Sequence, residues 1–221
     1  MAFRSAQGAG LYPSDTITIP APAGIADGDI LVACVWSWRG GGGAGAIQLP
    51  ADFAAWYTVT VASYVGVLAW KRANSEAGDY TFTSAGGQFT FGQVGVFSGR
   101  VASGDPLDVG SNTGYTTSNT TVRGAGVTIA TSGSDLIYCG MAETDDSASL
   151  SAPSGMTSRR SDDWTDDWTA METASLDNQT TGATGDKDGT ANAACTSKHA
   201  FLVALKPAAA AGNPYYYFAQ Q

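Results

Sequence analysis

The chain has 221 residues, 20 acidic against 11 basic side chains, a formal net charge of -9, 28 glycines and only 14% charged residues. That length is ample for a buried core, 10% aromatics argue against a disordered composition, and an acidic balance argues against a general nucleic-acid binder, which needs clustered Lys and Arg to meet phosphates. With four Lys and three Glu, charged helix formers are scarce, and the remaining texture of Thr, Ser and Gly suits strands and turns.

The N-terminus, Met1-Ala-Phe-Arg-Ser-Ala-Gln-Gly8, has no apolar stretch behind its one charge and does not read as a signal peptide. Residues 1–14 are expected to form an N-terminal arm. Strand-like runs then follow: Thr16–Ile19, Asp29–Trp36, Trp56–Val61, Val65–Trp70, Tyr80–Thr83 and Phe89–Phe97, most of them separated by Gly, Asn, Asp, Ser or Pro. The longest apolar run, Ile30–Trp36, has seven residues, far below the roughly 20 of a membrane-spanning helix. Gly40, Gly42 and Gly45 satisfy GxGxxG formally, but no helix follows, so the run reads as a hairpin loop without a dinucleotide.

The second half echoes the first in the same order. Ile17-Thr-Ile19 returns as Val127-Thr-Ile129, and Gly28-Asp-Ile-Leu-Val32 as Ser134-Asp-Leu-Ile-Tyr138. Leu49-Pro-Ala-Asp-Phe53 returns as Ala152-Pro-Ser-Gly-Met156, and Val94–Gly99 as Leu202–Pro207. The offsets of 110, 106, 103 and 108 residues are too long for a solenoid repeat. They predict an all-β, two-sheet sandwich of jelly-roll-like topology over residues 15–207, built from two sequence-related halves of about 15–106 and 121–207. Each half has one apolar face to bury against the other. Gly99–Arg123 is expected to be the crossover between them.

Between Glu143 and Asp188 lie eleven of the twenty acids and three basic residues, a local net of -8. Within this stretch, Asp162, Asp163, Trp164, Asp166, Asp167 and Trp168 are expected on an extended loop. Three readings stay open there. The indoles and carboxylates can form a glycan platform, the carboxylates can hold a hard cation such as calcium, or the loop is solvated and anchored by one Trp. Gly185-Asp-Lys-Asp-Gly-Thr190 offers a DxDG fragment, but the twelfth position counted from Asp186 is Ser197, so it reads as a turn and not an EF-hand.

Catalytic material is thin. His199 is the single histidine, it sits at the start of the expected last core strand, and no GxSxG accompanies any serine. Cys34, Cys139 and Cys195 are odd in number and widely spaced, which is not a disulfide framework, and Cys34 and Cys139 read as core residues. No metal site, no cofactor and no enzymatic activity are expected. After residue 207 comes a tail, 208–221, with four consecutive aromatics, Tyr215, Tyr216, Tyr217 and Phe218. Leaving them in water is costly, so they are expected either to fold back on the sandwich or to contact a neighbouring subunit.

Gly28–Ala33, Leu49–Phe53, Phe89–Phe91 and Val94–Gly99, with Ser134–Tyr138, Pro153–Met156 and Phe201–Pro207, form a paired pattern that resembles β-sandwich proteins of tailed-phage virions. The resemblance spans roughly residues 14–207. Ser134 and Met156 depart from the glycine and aromatic of the first copy. It implies a non-enzymatic virion structural protein, decorating a capsid or forming part of a tail or fibre, assembled in the host cytoplasm through its termini. Its partners would be other virion proteins and copies of itself, with no nucleic acid and no membrane. The alternative is a carbohydrate-binding module that recognises a host-surface glycan through residues 162–168.

Overall fold

The computed structural model describes residues 3–39, 45–61, 63–115, 118–145, 147–164 and 168–209. Among them every regular element is a strand, and every strand pairing is antiparallel. The first half holds β1 (Phe3–Leu11), β2 (Thr16–Ile19), β3 (Ile30–Trp38), β4 (Ile47–Gln48), β5 (Ala54–Val61), β6 (Tyr64–Arg72), β7 (Tyr80–Ser84) and β8 (Phe89–Phe97). The second holds β9 (Leu107–Tyr115), β10 (Thr121–Gly124), β11 (Thr128–Ile129), β12 (Ser134–Thr144), β13 (Leu150–Ser151), β14 (Thr157–Trp164), β15 (Thr169–Gln179), β16 (Gly182–Ala183), β17 (Lys187–Ala191) and β18 (Cys195–Leu205).

These strands form two five-stranded sheets, ordered β1-β8-β3-β6-β5 and β9-β18-β12-β15-β14. Two three-stranded sheets, β2-β7-β4 and β10-β17-β13, accompany them, with a short β11-β16 pair. Setting that short pair aside, the strand order is the same in both halves.

The packing is all-β, sheet on sheet, and it has four layers. Ile30, Val32, Cys34, Trp36 and Phe91 of the first large sheet share one apolar cluster with Ile137, Cys139, Met141, Phe201 and Val203 of the second. The opposite faces of the large sheets are covered too. Leu31, Ala33, Val35 and Val94 pack with Ile17, Ile19 and Phe82 of the first small sheet. Leu136, Tyr138 and Leu202 pack with Val122, Leu150 and Ala191 of the second.

Two sheets facing each other are what the sequence predicts, and that contact is the central one. The outer layers follow from composition. In β3 (ILVACVWSW) and β8 (FTFGQVGVF) nearly every residue is buried, and a strand apolar on both faces needs cover on both. Two sequence assignments change. Residues 3–11, expected within an N-terminal arm, are the edge strand β1. The crossover Gly99–Arg123 contains β9, a polar and glycine-rich edge strand whose composition hides its pairing with β18.

Close approach at the central interface depends on one glycine. Trp36 is fully buried, stacked on Phe201 at a ring separation of 5.6 Å and beside His199 at 5.0 Å. A Cβ at Gly66, its cross-strand neighbour on β6, would collide with the six-membered ring of Trp36. With aromatic neighbours on its other face, the indole has little room to retreat. Gly66→Ala is therefore expected to destabilise the fold by about 1–3 kcal/mol, read as a lower urea midpoint at unchanged slope.

Candidate functional site

Asp162, Asp163 and Trp164 of the acidic stretch lie where the end of β1 meets β14. The structure places Asp162, Asp163 and Trp164 on β14 itself, an edge strand, and not on a loop. Period-two alternation then parts them. Asp162 and Trp164 are half-buried towards β1 and β8, while Asp163 is exposed. Asp166 and Asp167 lie outside the described residues.

Asp162 is engaged on both oxygens. The Arg160 guanidinium donates to both, and Gln93 Nε2 donates to Oδ2 at 2.9 Å. Gln93 is buried in the middle of β8, and its Oε1 accepts the Thr173 hydroxyl at 2.6 Å. A polar tie therefore runs from β8 of the first half to β14 and β15 of the second. Two glycines of β1 make room for this contact. A Cβ at Gly8 would strike the Asp162 carboxylate, and one at Gly10 would strike the Trp164 indole.

Trp164 packs inward on Phe91, 5.1 Å between ring centres, and on Phe89 at 6.2 Å. Trp168 does the opposite. It is 52% exposed and its backbone sits in the left-handed region at φ 54°. The two indoles thus do not form a shared exposed platform, because one is an anchor of the central core. Leu11, 53% exposed, and Tyr12, 56% exposed, are the other large hydrophobic side chains left exposed among the described residues. Leu11 and Tyr12 directly follow Gly10, which touches Trp164, and Trp164 pairs with Thr169 beside Trp168. Next to Leu11 a groove of about 530 Å³ runs between β1 and β2.

The other acidic fragment is structural in its contacts. Asp188 lies on β17 opposite Arg123 of β10 and accepts two hydrogen bonds from its guanidinium, each 2.9 Å. Asp186 meets Arg123 at 3.1 Å and accepts the Gly126 amide. The expected turn at 185–190 is therefore mostly strand. Among the described residues no group of three or more His, Cys, Asp and Glu side chains is placed to hold a metal ion. The tail aromatics Tyr215, Tyr216, Tyr217 and Phe218 lie outside the described residues.

Two buried titratable groups stand apart. His199 lies within β18 between Trp36 and Phe201, and burial pushes its imidazole down to about 3. Glu172, on β15, is 1% exposed. Burial raises its carboxyl to about 7, aided by the charges of Asp162 and Asp163 and opposed by hydrogen bonds with Ser158 and Ser161. Its Oε1 and the His199 Nδ1 have no hydrogen-bond partner among the described residues. The sequence does not single out Glu172 or Gln93 as site residues. The signal for Gln93 is a lone amide in the otherwise apolar FTFGQVGVF, since such a group is kept in a core only when bonded.

The two groups bend stability in opposite directions. A neutral buried histidine contributes stability above its unfolded value near 6.5, and this is lost as pH falls towards 3. A carboxyl raised to about 7 contributes stability below its unfolded value near 4.3, lost as pH rises through 7. Between about pH 4.5 and 6.5 the two slopes cancel. Glu172→Gln removes one of them. The difference in unfolding free energy between this variant and the parent should grow in the variant's favour by roughly 3 kcal/mol from pH 4.5 to pH 8. Urea titrations at a series of pH values measure it, and a constant difference would mean that Glu172 does not titrate in this window.

Comparison with known proteins leaves this geometry to stand by itself, since no protein-family model, no curated protein and no solved structure matches the chain.

Proposed function

We propose that this chain is a non-enzymatic structural component of a tailed-phage virion, decorating the capsid or forming part of a tail or fibre, in contact with other virion proteins and with copies of itself. In this reading the repeated strand order corresponds to two jelly-roll-like units, stacked back to back as one rigid building block. The observation that carries it is where the polar side chains of the chain go. Gln93, Thr173, Asp162 and Arg160 tie one half to the other. Arg100 and Asp135 form a buried ion pair at 2.9 Å, from the end of the first half to the start of β12. Arg123 and Asp188 lock an outer sheet. These groups hold layers together, and His199 is kept neutral between aromatic rings. The resemblance of the paired sequence pattern to phage β-sandwich proteins supplies the setting.

The glycan-binding alternative has less support. Asp162 is taken up by Arg160 and Gln93, and Trp164 by Phe89 and Phe91, which leaves Trp168 as the one exposed indole of the pair.

The test is the composition of purified particles. In density-gradient fractions of the phage that encodes this chain, the protein should sediment with intact particles in several copies each and remain after a high-salt wash. Recovery only in the particle-free fraction would overturn the reading.

A further inference from the structure

We infer that Cys34 and Cys139 are the two sides of an inter-sheet disulfide, which forms when the chain folds in the presence of a low-molecular-weight disulfide and ties the first half to the second. The inference rests on the fold and stands apart from the virion reading.

The place of the two cysteines in the architecture carries it. β3 is the third of five strands in the order β1-β8-β3-β6-β5, and β12 is the third in β9-β18-β12-β15-β14. Cys34 is the middle residue of β3 (Ile30–Trp38), and Cys139 is the middle residue of β12 (Ser134–Thr144). Both belong to the one apolar cluster that fills the space between the large sheets. The centre of one sheet thus faces the centre of the other with a thiol on each side. Facing sheets of a sandwich approach closely enough for such a bond, as the inter-sheet disulfide of antibody domains shows.

Polar contacts fix the juxtaposition independently. Gln93 is the cross-strand partner of Cys34 on β8, and Thr173 is the cross-strand partner of Cys139 on β15. The Thr173 hydroxyl donates to Gln93 Oε1 at 2.6 Å and lies 3.8 Å from Cys139 Sγ. A bridge one strand away from each cysteine therefore holds the sheets in the register that sets the thiols opposite one another. Cys139 is also a hydrogen-bonding neighbour of Cys34; burial first, and that neighbour second, raise the Cys34 thiol well above its ordinary value. The third cysteine is placed elsewhere. Cys195 packs with Val122, Leu150 and Ala191 in the layer between the second large sheet and its small one. Of the three pairings open to three cysteines, the fold favours one.

The step is thiol–disulfide exchange. As the chain folds, one cysteine thiolate attacks a sulfur of the small disulfide, a mixed disulfide forms and a small thiolate leaves. The other cysteine attacks the protein-side sulfur of that mixed disulfide. The Cys34–Cys139 bond forms and a second small thiolate leaves. Two cysteine thiols are oxidised, one small disulfide is reduced, and the two protons end on the small thiols. In a reducing cytosol the pair stays a dithiol. Once the sheets close, Cys34 and Cys139 are 1% and 2% exposed, which shields the bond from further exchange. The cysteines are 105 residues apart in sequence, so the link closes a long loop and restricts the unfolded chain strongly.

Refolding the full chain from urea tests this, in a buffer of oxidised and reduced glutathione and, in parallel, in excess dithiothreitol. Free thiols are blocked under denaturing conditions before digestion with trypsin. Mass spectrometry should then find residues 5–39 joined to residues 124–159, and residues 188–198 with Cys195 blocked. The linked chain should share the circular dichroism of the reduced chain and have a higher urea midpoint. Cys195→Ser should leave the link in place, and Cys34→Ala should abolish it. Three free thiols in a natively folded chain from the glutathione buffer would overturn the inference. So would a bond to Cys195, a native spectrum recovered in dithiothreitol alone, or a linked chain whose midpoint is not raised. None of these results touches the virion reading, which the composition of purified particles decides.

Discussion

The structure depends on one contact, the burial of two five-stranded sheets against each other. Cys34, Trp36 and Phe91 on one side and Cys139, Met141 and Phe201 on the other make this a continuous apolar layer. At roughly 25 cal/mol per Å² of apolar surface, such an interface dominates the interactions that hold the halves together. It also sets the rest. Once the inner faces meet, the outer faces of β3, β8, β12 and β18 still carry apolar side chains, and the small sheets are needed to cover them.

A purely apolar interface between two twisted sheets can slide. Gln93 gives it a register. Its amide is met by Thr173 and Asp162 from the opposite half, and a shifted packing would leave that amide buried and unbonded at a cost of about 1–3 kcal/mol. The glycines of β1 serve the same alignment from the edge, since Gly8 and Gly10 let β1 lie against Asp162 and Trp164. The buried ion pair of Arg100 with Asp135 acts at the far end of the stack. Burial weakens the charged form of each partner, drawing Arg100 down and Asp135 up. A pair of this kind specifies an arrangement more than it stabilises one.

The same alignment gives several side chains of the acidic stretch internal partners. Asp162 and Asp188 each have an arginine partner, and Trp164 serves the core. Leu11, Tyr12 and Trp168 remain exposed among the described residues, and β1 is an end strand of its sheet.

Composition and periodicity alone determined the strand class, most strand positions and the core roles of Cys34 and Cys139, because alternation and burial are local properties of five to ten residues. The sequence echoes are local patterns of the same kind, and the strand order of the first set recurs in the second. What sequence could not carry was which faces meet. Asp162, Asp163 and Trp164, at the end of β14, read as part of an extended loop until β1 packs beside them, and β1 itself, small and glycine-rich, has no apolar period to reveal it. The raised carboxyl of Glu172 likewise follows from the burial of β15. Those are decided by contacts between residues far apart in the chain, and only the tertiary structure brings them together.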